Sequence, residues 1–141
     1  MAITQLNPYL AFDGTAERAI QLYERALGAR VEGGIMRFGE APGMEVAPAD
    51  RNRVMHAMLR IGGGIVMVSD AMPGQPVAKE SNVEVCLQLD DPEDLDRRFA
   101  ALAAGGKVTM APHDAFWGAR FGALTDAYGI RWLFNCPKKT A

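Results

Sequence analysis

"NVEVCLQLDDPEDLDRRFAALAAGG", residues 82–106, changes its period halfway along. From 82 to 89 apolar and polar residues alternate. Val83, Val85, Leu87 and Leu89 take one face, and Asn82, Glu84, Cys86 and Gln88 take the other, the pattern of a half-buried strand. Beyond Asp90 the spacing turns helical. Leu95, Phe99, Leu102 and Ala103 form one stripe, Pro92 suits the first turn, and Gly105-Gly106 supplies the stop.

The same plan occurs upstream. "ITQLNPYLAF" (3–12) alternates as a strand, with Pro8 marking an edge or a kink. "DGTAERAIQLYERALGAR" (13–30) is helical: Ala16, Ala19, Ile20, Tyr23 and Leu27 share a stripe, Thr15 is placed to cap, and Gly28 suits the C′ position. "RVEGGIMRF" reads as a strand, and 39–52 as a long loop rich in Gly and Pro. "RVMHAMLRI" and "IVMVSD" form a hairpin about the glycines between them. Downstream of residue 106, three short strands are expected around "KVTM", "FWGARFGALT" and "IRWLFNC", with His113 and Asp114 in a loop. "DAYG" (126–129) is a tight turn in which Gly129 supplies a positive φ. Strand–helix–strand–strand–strand therefore occurs twice, at a period of roughly 75 residues. The expectation is an α+β fold of two βαβββ modules, about 1–72 and 80–141, joined by a linker at 71–81 within one domain, 1–141.

Composition narrows the function classes. A hydrophobic share of 49% with 23% charged residues is that of a soluble globular chain. The net charge of -2 and the scattered basic residues offer no footprint for nucleic acid; "PKKT" (137–140) is the one short basic cluster. The N-terminus lacks the charged and apolar regions of a signal peptide, and no apolar run approaches the roughly 20 residues of a membrane span. A cytoplasmic protein is expected, with Cys86 and Cys136 as reduced, buried thiols.

Three stretches, "YLAFDGTAERAIQLYERALGA", "MHAMLRIGGGIVMVSD" and "LAAGGKVTMAPHDAFWGARFGALTDAYGIRWLFNC", together resemble the vicinal oxygen chelate superfamily (glyoxalase, bleomycin resistance protein, extradiol dioxygenase), and within it the PhnB-like branch. The likeness covers nearly the whole chain. It implies curled mixed sheets with helices on the convex face and a ligand cavity on the concave one. Residues alternating with the helix-facing ones would line that cavity: Asn7, Glu84 and Gln88, then His56, Met58 and Arg60, then Arg131, Leu133 and Asn135 opposite Trp132 and Phe134. Metal-dependent members carry His or Glu at four such places. Here those places hold Asn7, His56 or Met58, Glu84, and Leu133, so only His56 and Glu84 are donors, fewer than a divalent ion needs. No metal and no cofactor are expected.

Glu84, between two valines, requires water, a ligand or a cationic partner; Arg60, Arg120 and Arg131 are candidates. Phe116 and Trp117 beside a glycine suit an aromatic pocket wall. Arg120, on the same expected strand, has the forked donors to hold an anionic or carbonyl-bearing ligand. The resulting expectation is a metal-free, homodimeric small-molecule-binding protein. Its ligand-binding residues would be Asn7, His56, Met58, Glu84, Phe116, Trp117, Arg120 and Leu133, with no catalytic residue assigned. The alternative is a lyase, isomerase or dioxygenase using a metal at His56 and Glu84, with the 39–52 loop as lid. Methyl transfer is set aside, because "IGGGIVMV" reads as a hairpin turn rather than a glycine-rich turn opening a helix.

Overall fold

The computed structural model describes residues 2–138, so Lys139 and Thr140 of the basic cluster lie outside the described residues. The chain divides into two compact units, Met1–Val77 and Ala78–Ala141. The first contains β1 (Tyr9–Phe12), α1 (Ala16–Leu27), β2 (Arg30–Arg37), β3 (Val54–Ile61) and β4 (Gly64–Asp70). The second contains β5 (Val85–Gln88), α2 (Pro92–Leu102), β6 (Lys107–Ala115), β7 (Ala119–Thr125) and β8 (Arg131–Pro137). Their sheets have matching orders, β1-β4-β3-β2 and β5-β8-β7-β6. In each, the first strand lies parallel to the last, and the other pairs are antiparallel. This is an α+β fold of two βαβββ modules.

Each helix covers one face of its own sheet. In the first unit Ala16, Ala19, Ile20, Tyr23 and Leu27 of α1 are buried, as are Leu10, Phe12, Val54, Ala57, Leu59, Val66 and Val68 of the sheet. In the second, Leu95, Phe99 and Leu102 of α2 are buried with Leu124, Trp132 and Phe134, and the Phe99 and Phe134 rings meet edge to face at 5.2 Å. Burying each of the Val, Leu, Ile and Phe side chains among these contributes about 1.5–3 kcal/mol. Gly122 marks the closest approach of α2 to β7. A Cβ there would stand 2.9 Å from Phe99 Cε2, so no side chain fits unless the ring moves.

Two buried carboxylates fasten these layers. Asp70, at the end of β4, accepts from the Ala16 N–H at 3.0 Å and the Val54 N–H at 2.8 Å, which ties the start of α1 to β3. Thr15 was the expected cap, but its side chain makes no capping bond; Asp70 takes one of the helix's unpaired donors instead. Gly28 ends α1 in the left-handed conformation, as expected. Asp91 caps α2 by accepting from the Glu93 N–H. In the second unit Asp126 accepts from the N–H groups of Tyr128 and Ile130 and from Trp132 Nε1, at 2.9, 3.1 and 2.9 Å. The Asp126–Gly129 turn is thereby bonded to the core, and Gly129 has φ 97°.

Several expected boundaries shift. β1 begins only at Tyr9: Pro8 has no N–H to extend the ladder, and Ile3 and Leu6 are exposed. β5 begins at Val85, leaving Val83 exposed. His113 and Asp114 are not in a loop. They lie on β6, opposite Phe121 and Arg120, because an edge strand tolerates Pro112. Phe116, Trp117 and Gly118 form the β6–β7 turn rather than the start of a strand. Cys86 is exposed, not buried; Cys136 is buried. The 39–52 loop contains two short 3₁₀ turns, and its ends are joined by Phe38 N–H to Arg53 O and Gly39 N–H to Arg51 O bonds. Gly62 and Gly63 close the β3–β4 hairpin, where Ile61 pairs with Gly64. No helix among the described residues is long and apolar enough to cross a membrane.

Candidate functional site

Cross-strand partners share a sheet face, so the registers identify what stands opposite each helix. In the first unit, Tyr9, Met67, Met58 and Glu32 form one row across all four strands, with Met36 opposite His56 beside it. His56 and Met58 therefore share the open face, two residues apart on β3. The His56 imidazole is not idle: Nδ1 lies 3.0 Å from the Tyr9 hydroxyl, with the rings tilted at 5.9 Å. Arg60, on the same face, pairs with Glu32, whose carboxyl it holds below the ordinary carboxylate range chiefly through their hydrogen bond. Asn7 precedes β1 and donates its amide to Ile65 O at 3.1 Å, so it serves the backbone of β4.

In the second unit, Cys86 pairs with Leu133 and Gln88 with Asn135, placing these four on the open face. Val85 and Leu87 share the other face with Trp132 and Phe134. Glu84 finds its cation in Arg131, at 3.0 Å, and Arg131 also donates to Ser81 O. The neighbours of Cys86 push its thiol up by desolvation, and the Gln88 amide donates to its sulfur at 3.7 Å. Cys86 and Cys136 occupy opposite faces, which precludes a disulfide without rearranging the sheet.

Trp117, at the β6–β7 turn, is 53% exposed and packs edge to face on Phe121 at 5.5 Å. Phe116 packs on Trp117 at 5.1 Å and is otherwise fully exposed. Phe121 stands opposite Asn135, so this aromatic group belongs to the open face. Arg120 does not. It stands opposite Cys136, on the face of Phe134 and Trp132, and makes two bonds to Asp96 of α2 at 2.8 and 3.0 Å, which raise its pKa. A hollow of about 600 Å³ adjoins it, lined by Asp91, Glu93, Asp96, Asp114, Cys136 and Lys138 among others. Its carboxylates Asp96 and Asp114 are already engaged by Arg120 and Lys138.

The registers thus group His56 with Met58 in one unit and Leu133 with Phe121 and Asn135 in the other, where Arg131 holds Glu84 and Phe121 carries Trp117. They set Arg120 apart. Phe121 is the principal addition, and the sequence held a signal for it. Trp117, Ala119 and Phe121 share parity, whereas Arg120 has the opposite parity. Among the described residues no three His, Cys, Asp or Glu side chains gather as a metal site.

Comparison with known proteins accords with this architecture. The profile of the Glyoxalase/Bleomycin resistance protein/Dioxygenase superfamily matches residues 5–134. The chain is 37% identical to protein YjdN of Escherichia coli over 143 aligned positions, covering 95% of this chain and 96% of YjdN. The crystal structure of PA1353 from Pseudomonas aeruginosa superposes with a TM-score of 0.86 at 35% identity, covering 97% of this chain and all of that one. A PhnB protein from Bacillus cereus shares the fold at a TM-score of 0.79 and 23% identity, covering 94% of this chain and 99% of its own.

Proposed function

The chain belongs to the Glyoxalase/Bleomycin resistance protein/Dioxygenase superfamily, in its PhnB-like branch, and on that premise we propose that it binds a small molecule without a metal, against the open face of the sheet in its second unit. The observation that carries this reading is the half-exposed Trp117 resting on Phe121. A large aromatic surface kept in reach of solvent beside a few polar groups is how small-molecule sites are built. Phe116, Leu133 and the Glu84–Arg131 pair complete that face in the second unit; in the first unit, His56 and Met58 stand on the open face of its own sheet.

The metal-dependent alternative has less to recommend it. Glu84 is engaged by Arg131 and His56 by Tyr9, and Leu133 and Asn7 stand where ligands would be needed. The reading extends to a cytoplasmic homodimer. Native mass spectrometry of untagged protein, with metal analysis of the same sample, tests the core of it. Retention of a small molecule that Trp117→Ala loses, at substoichiometric metal, is the expected result. A stoichiometric divalent ion lost on substituting His56 or Glu84 would replace this reading with the enzymatic one.

A further inference from the structure

Four residues of the second unit stand in a single row across all its strands. His113 on β6 faces Phe121 on β7, Phe121 faces Asn135 on β8, and Asn135 faces Gln88 on β5. At roughly 4.8 Å between strands the row is about 14 Å wide, the span of a bicyclic aromatic bearing a substituent. Its two halves differ in chemistry. One half is aromatic: the Phe121 ring takes His113 edge to face at 6.4 Å on one side and Trp117 at 5.5 Å on the other. The other half is amide, with Asn135 Nδ2 donating to Gln88 Oε1 at 2.8 Å. The next row, Met110, Ala123, Leu133 and Cys86, carries no charge. Beyond it, Glu84 and Arg131 neutralise each other, and Lys107 stands at the far edge of the Arg131 row, past Thr125.

From this row we infer the ligand class: a neutral, planar aromatic molecule carrying a carboxamide or an equivalent adjacent donor and acceptor. The ring lies against Phe121 and Trp117, where aromatic edges and faces attract. The polar group meets Asn135, whose amide has an N–H and a carbonyl to offer, the complement of another amide. Gln88 is a positioning residue; its bond fixes which way the Asn135 amide turns. A carboxylate ligand at Asn135 would be desolvated where the Arg131 guanidinium is already taken by Glu84, and a plain hydrocarbon would cover the Asn135 carbonyl without giving it a partner.

The inference rests on the small-molecule reading of this face, and the test separates the two. Trp132 is fully buried, so quenching of tryptophan fluorescence by a ligand reports on Trp117. Wild-type protein is titrated with 2-naphthamide, 2-naphthoate and 2-ethylnaphthalene. The amide is expected to bind about 10-fold more tightly than either other probe, the worth of one good hydrogen bond. Asn135→Leu should erase that preference, weakening the amide and tightening 2-ethylnaphthalene, and Gln88→Leu should reduce it; near-ultraviolet circular dichroism checks that both variants fold. Equal affinity for the three probes, tighter binding of the naphthoate, or no quenching by any of them would overturn the assigned class. None of these outcomes bears on whether the purified protein retains a small molecule that Trp117→Ala loses.

Discussion

The two tryptophans sit on adjacent hairpins and face different surroundings. Trp132 is fully buried, with its indole N–H on the Asp126 carboxylate, whereas Trp117 lies half exposed at a turn. Trp132→Ala should therefore cost about 3–5 kcal/mol, the loss for a large core aromatic, and Trp117→Ala about 1 kcal/mol or less, as a surface change does. Chemical denaturation measures both, and equal losses would contradict the assignment of faces. Glu84→Gln breaks a partly exposed ion pair and should change stability by less than about 1 kcal/mol. Cys86 presents its own test. Because desolvation raises its thiol pKa, its alkylation by iodoacetamide at neutral pH should run slower than that of an exposed model thiol and gain steeply as the solution becomes alkaline. A rate at neutral pH matching or exceeding the model thiol would contradict that environment. Trp132 was legible in the sequence because it alternates with Arg131 and Leu133 beside Phe134. The opposite placement of Trp117 and Arg120 was legible too, from parity alone, but reading both as one pocket overlooked it.

At the scale of the elements, period identified both helices and most strands, while partners decided where they ended. Gly28 and Pro92 marked their helix ends from the sequence, since their roles are local. Asp70 did not, because its partners Ala16 and Val54 are 54 and 16 residues away. Removing it leaves two buried N–H groups without their acceptor. Asp70→Ala should cost roughly 2–3 kcal/mol, and the first-turn amides of α1 should lose hydrogen-exchange protection before the rest of the helix. Unchanged protection would mean that Asp70 is dispensable to the helix start. The second half of β6 escaped the sequence reading for a related reason: Pro112 and two charged or polar neighbours resemble a loop, and only pairing with β7 reveals a strand.

At the scale of the whole molecule, the repeat carried most of the information. Two strand–helix–strand–strand–strand runs predict two sheets of like order, and both sheets have the order first, fourth, third, second. Oligomeric state is a separate matter. Ile3, Leu6, Val83 and Phe116 are all at least 70% exposed, a quantity of bare apolar side chain that self-association would cover. Light scattering at micromolar concentration is expected to give the mass of a dimer; a monomer would contradict it. The central claim, a small-molecule site on the open face at Trp117, has a direct reporter in the indole N–H signals of the two tryptophans. A ¹H–¹⁵N spectrum is recorded as the small-molecule fraction of a cell extract is added. The account predicts that the Trp117 signal moves, saturates and follows Phe121 and Asn135, while the Trp132 signal stays in place. A Trp117 signal that never moves, or a Trp132 signal that moves in its stead, would contradict it.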